Sequence, residues 1–211
     1  MKTKIILVGG GGHCLSVIGA IESCEEYEIA GILDKSIPVG EEVLGYPVVG
    51  DDSDIPAWVA KGAVFANGIG QLVDPSLRRN VFDLVKQHGG SMPVIIASTA
   101  WVSRHTEIGE GTIVFHKCIV NSKAIIGQNN IINTGAIIEH NTIVGDDNHI
   151  STGVTVNGDC NIGDRNFLGC GSIVHHRISI ANEVIVGAGS VVLKDCPESG
   201  TYVGVPARKK K

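Results

Sequence analysis

The stretch from Gly135 to Ser151, GAIIEHNTIVGDDNHIS, repeats at an interval of its own: Ile138, Val144 and Ile150 stand six residues apart. The same step holds an aliphatic side chain at seventeen successive positions, from Ile96 to Val192, before it fails at Glu198. Small or short residues tend to precede each aliphatic by two places (Thr106, Thr112, Ala124, Ala136, Thr142, Cys160, Ser172). Glycine recurs one place after it, at 109, 127, 145, 163, 169 and 187. A period of six is neither the 2 of a strand nor the 3.6 of a helix, so it marks an internal repeat of one short unit. Short strands joined by tight turns fit it, with each aliphatic pointing inward and Gly and Asn taking the positive-φ corners. Three units close a triangular coil, and coils stack about 4.8 Å apart, the spacing of hydrogen-bonded strands. The expected fold over residues 91–211 is therefore a parallel β-helix of five to six coils, with a short C-terminal tail.

Composition agrees with a repetitive scaffold. Hydrophobic residues make up 43% of the 211-residue chain, yet aromatics only 4%, and 28 residues are glycine. The 17 basic and 22 acidic residues leave a formal charge of −5, which argues against a nucleic-acid partner. The closing Arg208–Lys211 run reads as a solvated tail. No apolar run approaches the roughly 18 residues a membrane span needs, and Ile5 to Val8 is too short for a signal-peptide core. Six cysteines without a Cys-x-x-Cys pair read as reduced, small side chains of a cytoplasmic protein.

Residues 1–90 follow another pattern. Lys4–Val8 reads as a buried strand, Gly9–Gly12 as a turn, and Cys14–Cys24 as a helix with Leu15, Ile18 and Ile21 on one face. A second strand, Glu28–Leu33, ends in Asp34. A third, near Ala63–Ala66, leads into Asn67-Gly-Ile-Gly70, and Pro75 opens a helix to about His88. This is a small Rossmann-like βαβ domain. It lacks a clean dinucleotide fingerprint, because counting from Gly9 or Gly10 the third glycine position holds Cys14 or Leu15. Glycine amides at a helix start can still hold phosphate, and an acid closing the second strand can accept from a sugar hydroxyl or amine. A tight turn without ligand is the structural alternative.

A Rossmann-like module followed by a β-helix resembles the bacterial hexapeptide-repeat acetyltransferases of nucleotide-linked amino sugars and sialic acids, and most of all those that N-acetylate a UDP-4-amino sugar. The resemblance spans essentially the whole chain. It rests on Gly11-Gly-His13, Leu33-Asp34-Lys35, Gly68-Ile-Gly70 with Arg78, Ile137-Ile-Glu-His140, His149-Ile-Ser151 and Gly204-Val-Pro-Ala-Arg208. It implies a left-handed β-helix and an acetyl-CoA-dependent enzyme that forms homotrimers, with no metal. It implies His140 as general base, His149 as an acetyl-CoA contact, and the Gly158 amide on the thioester carbonyl. Cys170 and Ala188 would line the CoA groove, while Gly11, Gly12, His13, Asp34, Lys35 and Gly70 would hold the nucleotide sugar.

Spacing supports part of this independently. Gly158 lies one 18-residue coil beyond His140, so a base and a backbone N–H would share one edge, able to deprotonate an amine and hold the developing oxyanion. The family usually carries an acid directly after the base, whereas this chain has Asn141. Asp159, one coil further on, and Glu139 are the candidates to supply the missing charge. Three other readings stand beside this one: O-acetylation of a sialic acid or related hydroxyl, a non-catalytic nucleotide-sugar-binding protein, and a γ-class carbonic anhydrase. The last needs three histidine ligands on zinc. His140 and His176 are two coils apart, but Ala181 stands where the third ligand would be.

Overall fold

The computed structural model describes residues 2–71 and 74–210. It divides into two compact units, Met1–Ser98 and Thr99–Lys211.

The first unit is built on strand β1 (Thr3–Val8), helix α1 (Gly12–Glu22), strands β2 (Tyr27–Leu33), β3 (Glu42–Val43) and β4 (Tyr46–Gly50), helix α2 (Ile55–Ala60), strand β5 (Val64–Asn67) and helix α3 (Ser76–Gln87). The sheet order is β3-β4-β2-β1-β5, parallel except for the β3–β4 hairpin. Ile5, Ile6, Leu7 and Val8 are all buried because the central strand is covered on both faces, as a parallel sheet requires. The core joins β1 to α3 through Ile6, Val8, Phe65, Val81, Phe82 and Val85.

The two strands and the helix expected between Lys4 and Leu33 are present, but Leu15 is not on the buried face. It is 45% exposed, and Cys14, Val17, Ile18 and Ile21 point inward instead. The inward stripe runs 14, 17, 18, 21, and Leu15 lies about 100° of helix rotation past Cys14. The hairpin turn uses Leu44 at φ +50° and Gly45 at φ +83°. A leucine in that conformation carries no turn signal, so nothing in the sequence announced β3 or β4.

The second unit is a left-handed parallel β-helix. Two-residue strands pair in register with the strand one coil later: Ile119 with Ile137, Ile137 with Thr155, Thr155 with Ile173. From Val114 onward, the aliphatics of the six-residue register fill the interior. Val102 and Ile108 are only half-buried, and Ile96 departs furthest. It lies in the first unit, is 39% exposed, and leaves the buried place to Ile95.

The corners also differ from expectation. The glycines at 109, 127, 145, 163, 169 and 187 do not have positive φ. Their role is close approach, since a Cβ at Gly127 would come within 2.7 Å of the Gly145 carbonyl oxygen. Positive φ falls two residues later, at every sixth residue from Gly111 to Gly189, and Lys123, Asp147, Asp159, Arg165 and Glu183 adopt it as readily as Asn129 and Asn141.

Inside the coil, polar side chains replace absent backbone partners. Thr112 Oγ1 accepts from the Asn130 N–H at 3.1 Å, Asn130 Oδ1 from the Asn148 N–H at 2.8 Å, Asn148 Oδ1 from the Asn166 N–H at 2.8 Å, and Asn166 Oδ1 from the Val184 N–H at 2.7 Å. All four side chains are fully buried, so each bond removes a donor that would otherwise be costly.

The C-terminal segment is not a free tail. Ala207–Lys209 returns antiparallel to Gly200–Gly204, and Lys209 Nζ lies 2.7 Å from Glu198 Oε2. Lys211, the last residue of the expected tail, lies outside the described residues.

Candidate active site

The strands Trp101–Val102, Ile119–Val120, Ile137–Ile138, Thr155–Val156, Ile173–Val174 and Val191–Val192 form one sheet of the β-helix. The corner after this sheet brings Ser122, His140, Gly158 and His176 to one level on successive coils. A cavity of about 410 Å³ opens there, lined by Glu139, His140, Asn157, Gly158, Asp159, His176 and Arg177.

Gly158 lies against the His140 ring. A Cβ on Gly158 would stand 2.7 Å from Cε1 and 2.9 Å from Nε2, so any side chain would displace the imidazole. Gly158 is buried, its carbonyl accepts from the Arg177 N–H at 3.0 Å, and its own N–H donates to no acceptor among the described residues. A backbone donor beside an imidazole is what an acyl transfer needs for its oxyanion and its proton.

The two acids near His140 are held differently. Glu139 Oε2 accepts from Asn121 Nδ2 at 2.8 Å, one coil back. Asp159 Oδ1 accepts from Asn141 Nδ2 at 3.0 Å, and the same Nδ2 lies 3.2 Å from His140 Nδ1. Asp159 is therefore joined to the imidazole through the Asn141 amide.

His149 is not in this cavity. It sits in the sheet that holds Ile131 and Phe167, is 6% exposed, meets Asn133 Nδ2 at 3.1 Å through Nε2, and packs edge-on against Phe167 with ring centroids 5.2 Å apart. Cys170 and Ala188 lie exposed at the corner after that sheet, together with Thr134 and Thr152.

At this corner the positive-φ residue is glycine on four coils running, Gly135, Gly153, Gly171 and Gly189, and a Cβ on any of them would meet open space. On the same four coils and the one before, the other two corners hold Lys, Asn, Asp, Arg or Glu at φ between 51° and 61° in the equivalent place, apart from Gly111. Backbone conformation therefore does not account for the four glycines. What they produce is an edge bare of side chains.

In the first unit, Gly11, Gly12, His13, Asp34, Lys35 and Gly70 all line one cavity of about 340 Å³. The loops after β1 and β5 touch: Gly9, at φ +96°, lies against Gly68, where a Cβ would clash with the Gly9 backbone. At Gly11 and Gly12 a Cβ would meet nothing within 4 Å, which leaves the start of α1 open toward the cavity. Burial raises the Asp34 pKa, but N–H bonds from Gly10 (2.6 Å), Ser36 (2.7 Å) and Ile37 (3.1 Å) outweigh it and hold the carboxyl below its ordinary value. Lys35 Nζ pairs with Asp52 Oδ2 at 2.7 Å, and that carboxylate raises the lysine's pKa.

Asp52 was missed from the sequence, because only the sheet order carries the end of β4 to this loop. His176, two coils beyond His140, was read from the sequence only as a zinc-ligand candidate without its third partner, and Arg177, two coils beyond Asn141, was given no task. Among the described residues no three His, Cys, Asp or Glu converge as a metal site, and no helix is long and apolar enough to cross a membrane. Burial pushes the Cys14 thiol up to about 12, and Cys118 and Cys196 to about 11, away from nucleophilic chemistry.

Residues 4–85 match the PglD N-terminal domain. No curated protein sequence matches the chain. Among solved structures, a variant of perosamine N-acetyltransferase from Caulobacter crescentus, in complex with CoA and GDP-perosamine, is 35% identical with a TM-score of 0.92, covering 99% of this chain and 97% of that one. The acetyltransferase domain of PglB from Neisseria gonorrhoeae, in complex with acetyl coenzyme A, is 26% identical over 100% of both chains with a TM-score of 0.93. WeeI from Acinetobacter baumannii shares the fold at 24% identity, 99% and 100% coverage and a TM-score of 0.86. Two cavities with these linings, on a Rossmann-like unit and a hexad β-helix that match such relatives end to end, settle the family: the chain belongs to the hexapeptide-repeat sugar N-acetyltransferases.

Proposed function

We propose that the chain transfers the acetyl group of acetyl-CoA to the amine of a nucleotide-linked amino sugar. The observation that carries this reading is the pairing of the His140 imidazole with the unclaimed N–H of Gly158. In the proposed reaction, His140 takes a proton from the attacking nitrogen while the Gly158 amide holds the oxyanion of the tetrahedral intermediate. Collapse expels CoA as thiolate, a good leaving group, so direct attack needs no enzyme nucleophile. The buried cysteines with raised pKa values fit that economy.

The bare edge of Gly135, Gly153, Gly171 and Gly189, flanked by Cys170 and Ala188, supports an extended pantetheine arm lying along the β-helix, with His149 supporting the wall behind it. The cavity of the first unit supports the nucleotide sugar, with the open start of α1 at Gly11, Gly12 and His13 for phosphate and Asp34, Lys35 and Gly70 around it. The resemblance points to a UDP-linked 4-amino sugar. The relative crystallised with GDP-perosamine makes a GDP-linked amine the second acceptor to test.

A homotrimer fits the outer face of the His140 sheet, where Trp101, Ile119 and Ile173 form an exposed apolar ladder. Free cysteines throughout fit the reducing cytoplasm.

The decisive assay incubates the protein with acetyl-CoA and UDP-, GDP- or dTDP-linked amino sugars and follows thiol release. Turnover on one of these amines, lost in His140→Ala with CoA binding kept, is the expected result. Turnover on a sialic acid hydroxyl alone would reject the reading, as would full activity of His140→Ala.

A further inference from the structure

The contact between Asp159, Asn141 and His140 fixes where the imidazole proton resides. A carboxylate can only accept, so the end of the Asn141 amide 3.0 Å from Asp159 Oδ1 is the nitrogen. An amide nitrogen can only donate, so His140 Nδ1, 3.2 Å from that same atom, accepts its second hydrogen. An accepting Nδ1 leaves the proton of the neutral ring on Nε2.

This inverts the arrangement of a catalytic triad, where the acid touches Nδ1 directly, keeps the proton there and leaves Nε2 free as the base. The same negative charge, passed through one intervening amide, selects the opposite tautomer. Turning the amide over would not help while Asp159 is ionised, because the amide oxygen would then face the carboxylate oxygen at 3.0 Å. The other charged or titratable groups around this cavity are Glu139, held by Asn121, and His176 and Arg177 on the far coil. Among the described residues none of them hydrogen-bonds His140 Nδ1.

We propose that Asp159 is a positioning residue which, through Asn141, holds resting His140 in the Nε2–H tautomer. The inference rests on the reading of His140 as base. On that reading the base becomes competent only when the proton moves to Nδ1, a step that the Asp159–Asn141 bond opposes. Two substitutions relieve it. Asn141→Asp supplies an acceptor directly at Nδ1, and Asp159→Asn frees the amide to turn its oxygen toward the ring. Aspartate is at home in this backbone conformation, since Asp147 and Asp159 themselves sit at φ +58° and +59°, so Asn141→Asp does not strain the backbone; its carboxylate does meet that of Asp159, a repulsion that the double variant Asn141→Asp/Asp159→Asn removes.

The test is the imidazole ¹⁵N spectrum of ¹⁵N-histidine-labelled protein above the pH range in which the rings protonate. The His140 pair is identified, among eight histidines, as the one missing from His140→Gln. The expected result is an Nε2–H ring in the wild type, an Nδ1–H ring in Asn141→Asp, and a shift toward Nδ1–H in Asp159→Asn. An Nδ1–H ring in the wild type overturns the proposal, as does a spectrum that neither substitution changes. Steady-state kinetics separate it from the reading on which it rests. Asn141→Asp should raise kcat by about tenfold or more, up to the 10²–10⁴-fold that a well-placed general base contributes, with little change in KM. A tautomer that switches as expected while kcat stays fixed keeps the positioning role of Asp159 and rejects His140 as the base.

Discussion

Gly158 faces the His140 imidazole at a distance that leaves no room for a methyl group: a Cβ there would stand 2.7 Å from Cε1 and 2.9 Å from Nε2. Its φ is not in the positive range, so conformation does not require glycine at this position. Contact with the ring does. Gly158→Ala should fold with nearly unchanged thermal stability and lose roughly a hundredfold in kcat as the ring is pushed aside, the scale of losing a placed general base. A calorimetric scan beside a thiol-release assay would check this, and full activity in the alanine variant would show that the ring position is unimportant.

The bare corner makes a second prediction. Lys123 and Arg177 show that long side chains fold without difficulty at the equivalent place on another corner. Gly153→Lys should therefore be folded and stable, yet its side chain would stand in the groove proposed for CoA. KM for acetyl-CoA should rise on the order of tenfold, the equivalent of about 1.4 kcal/mol of lost binding. A lysine variant with wild-type KM would mean that CoA lies elsewhere.

The buried asparagine ladder predicts a purely structural effect. Asn148→Ala removes the acceptor of the Asn166 N–H, a 2.8 Å bond in a fully buried place. Leaving that donor unpaired should cost about 1–3 kcal/mol, read as a lower denaturation midpoint of the β-helix. Because the ladder does not touch the His140 cavity, kcat below the unfolding range should be unchanged.

Asp34 gives the first unit an acid-sensitive contribution. Its folded pKa lies below the ordinary carboxylate value because three N–H groups outweigh the effect of burial. The stabilisation is therefore present above the unfolded pKa of about 3.9 and is lost as pH falls through the lower folded value. Asp34→Asn replaces an all-acceptor carboxylate by an amide that can satisfy the three donors only in part. It should lower stability at neutral pH and flatten the acid limb of the stability curve. Denaturant titrations between neutral and acid pH would check the slope, and an unchanged acid limb would remove Asp34 from this role.

The β-helix was legible because its determinant is a one-dimensional period. Each coil repeats the same inward aliphatic, and a period needs no knowledge of distant contacts. The pairing of His140 with Gly158 was legible for the same reason, since a coil of constant length turns sequence separation into adjacency. The glycine turn with His13, Asp34 and Gly70 could be read from strand-turn-helix order, because local elements carry those residues to one end of the sheet.

Other features depended on three-dimensional relationships that no period encodes. Asp52 reaches the front cavity through a sheet order that the sequence does not state. Leu15 points outward because the start of α1 sets the helix phase, and Ile96, which the six-residue register expects inward, is exposed while Ile95 is buried. The four corner glycines look like their neighbours in the sequence, and their meaning emerged only when the other two corners proved to hold charged residues at the same φ. The sequence alone determined that Asn141 follows His140, where the family it resembles usually carries an acid, and that Asp159 lies one coil away. Only the tertiary structure decided that one amide nitrogen touches both Asp159 and His140, and with it the place of the imidazole proton. A hydrogen bond has a direction, and that direction is set by atoms brought together in space.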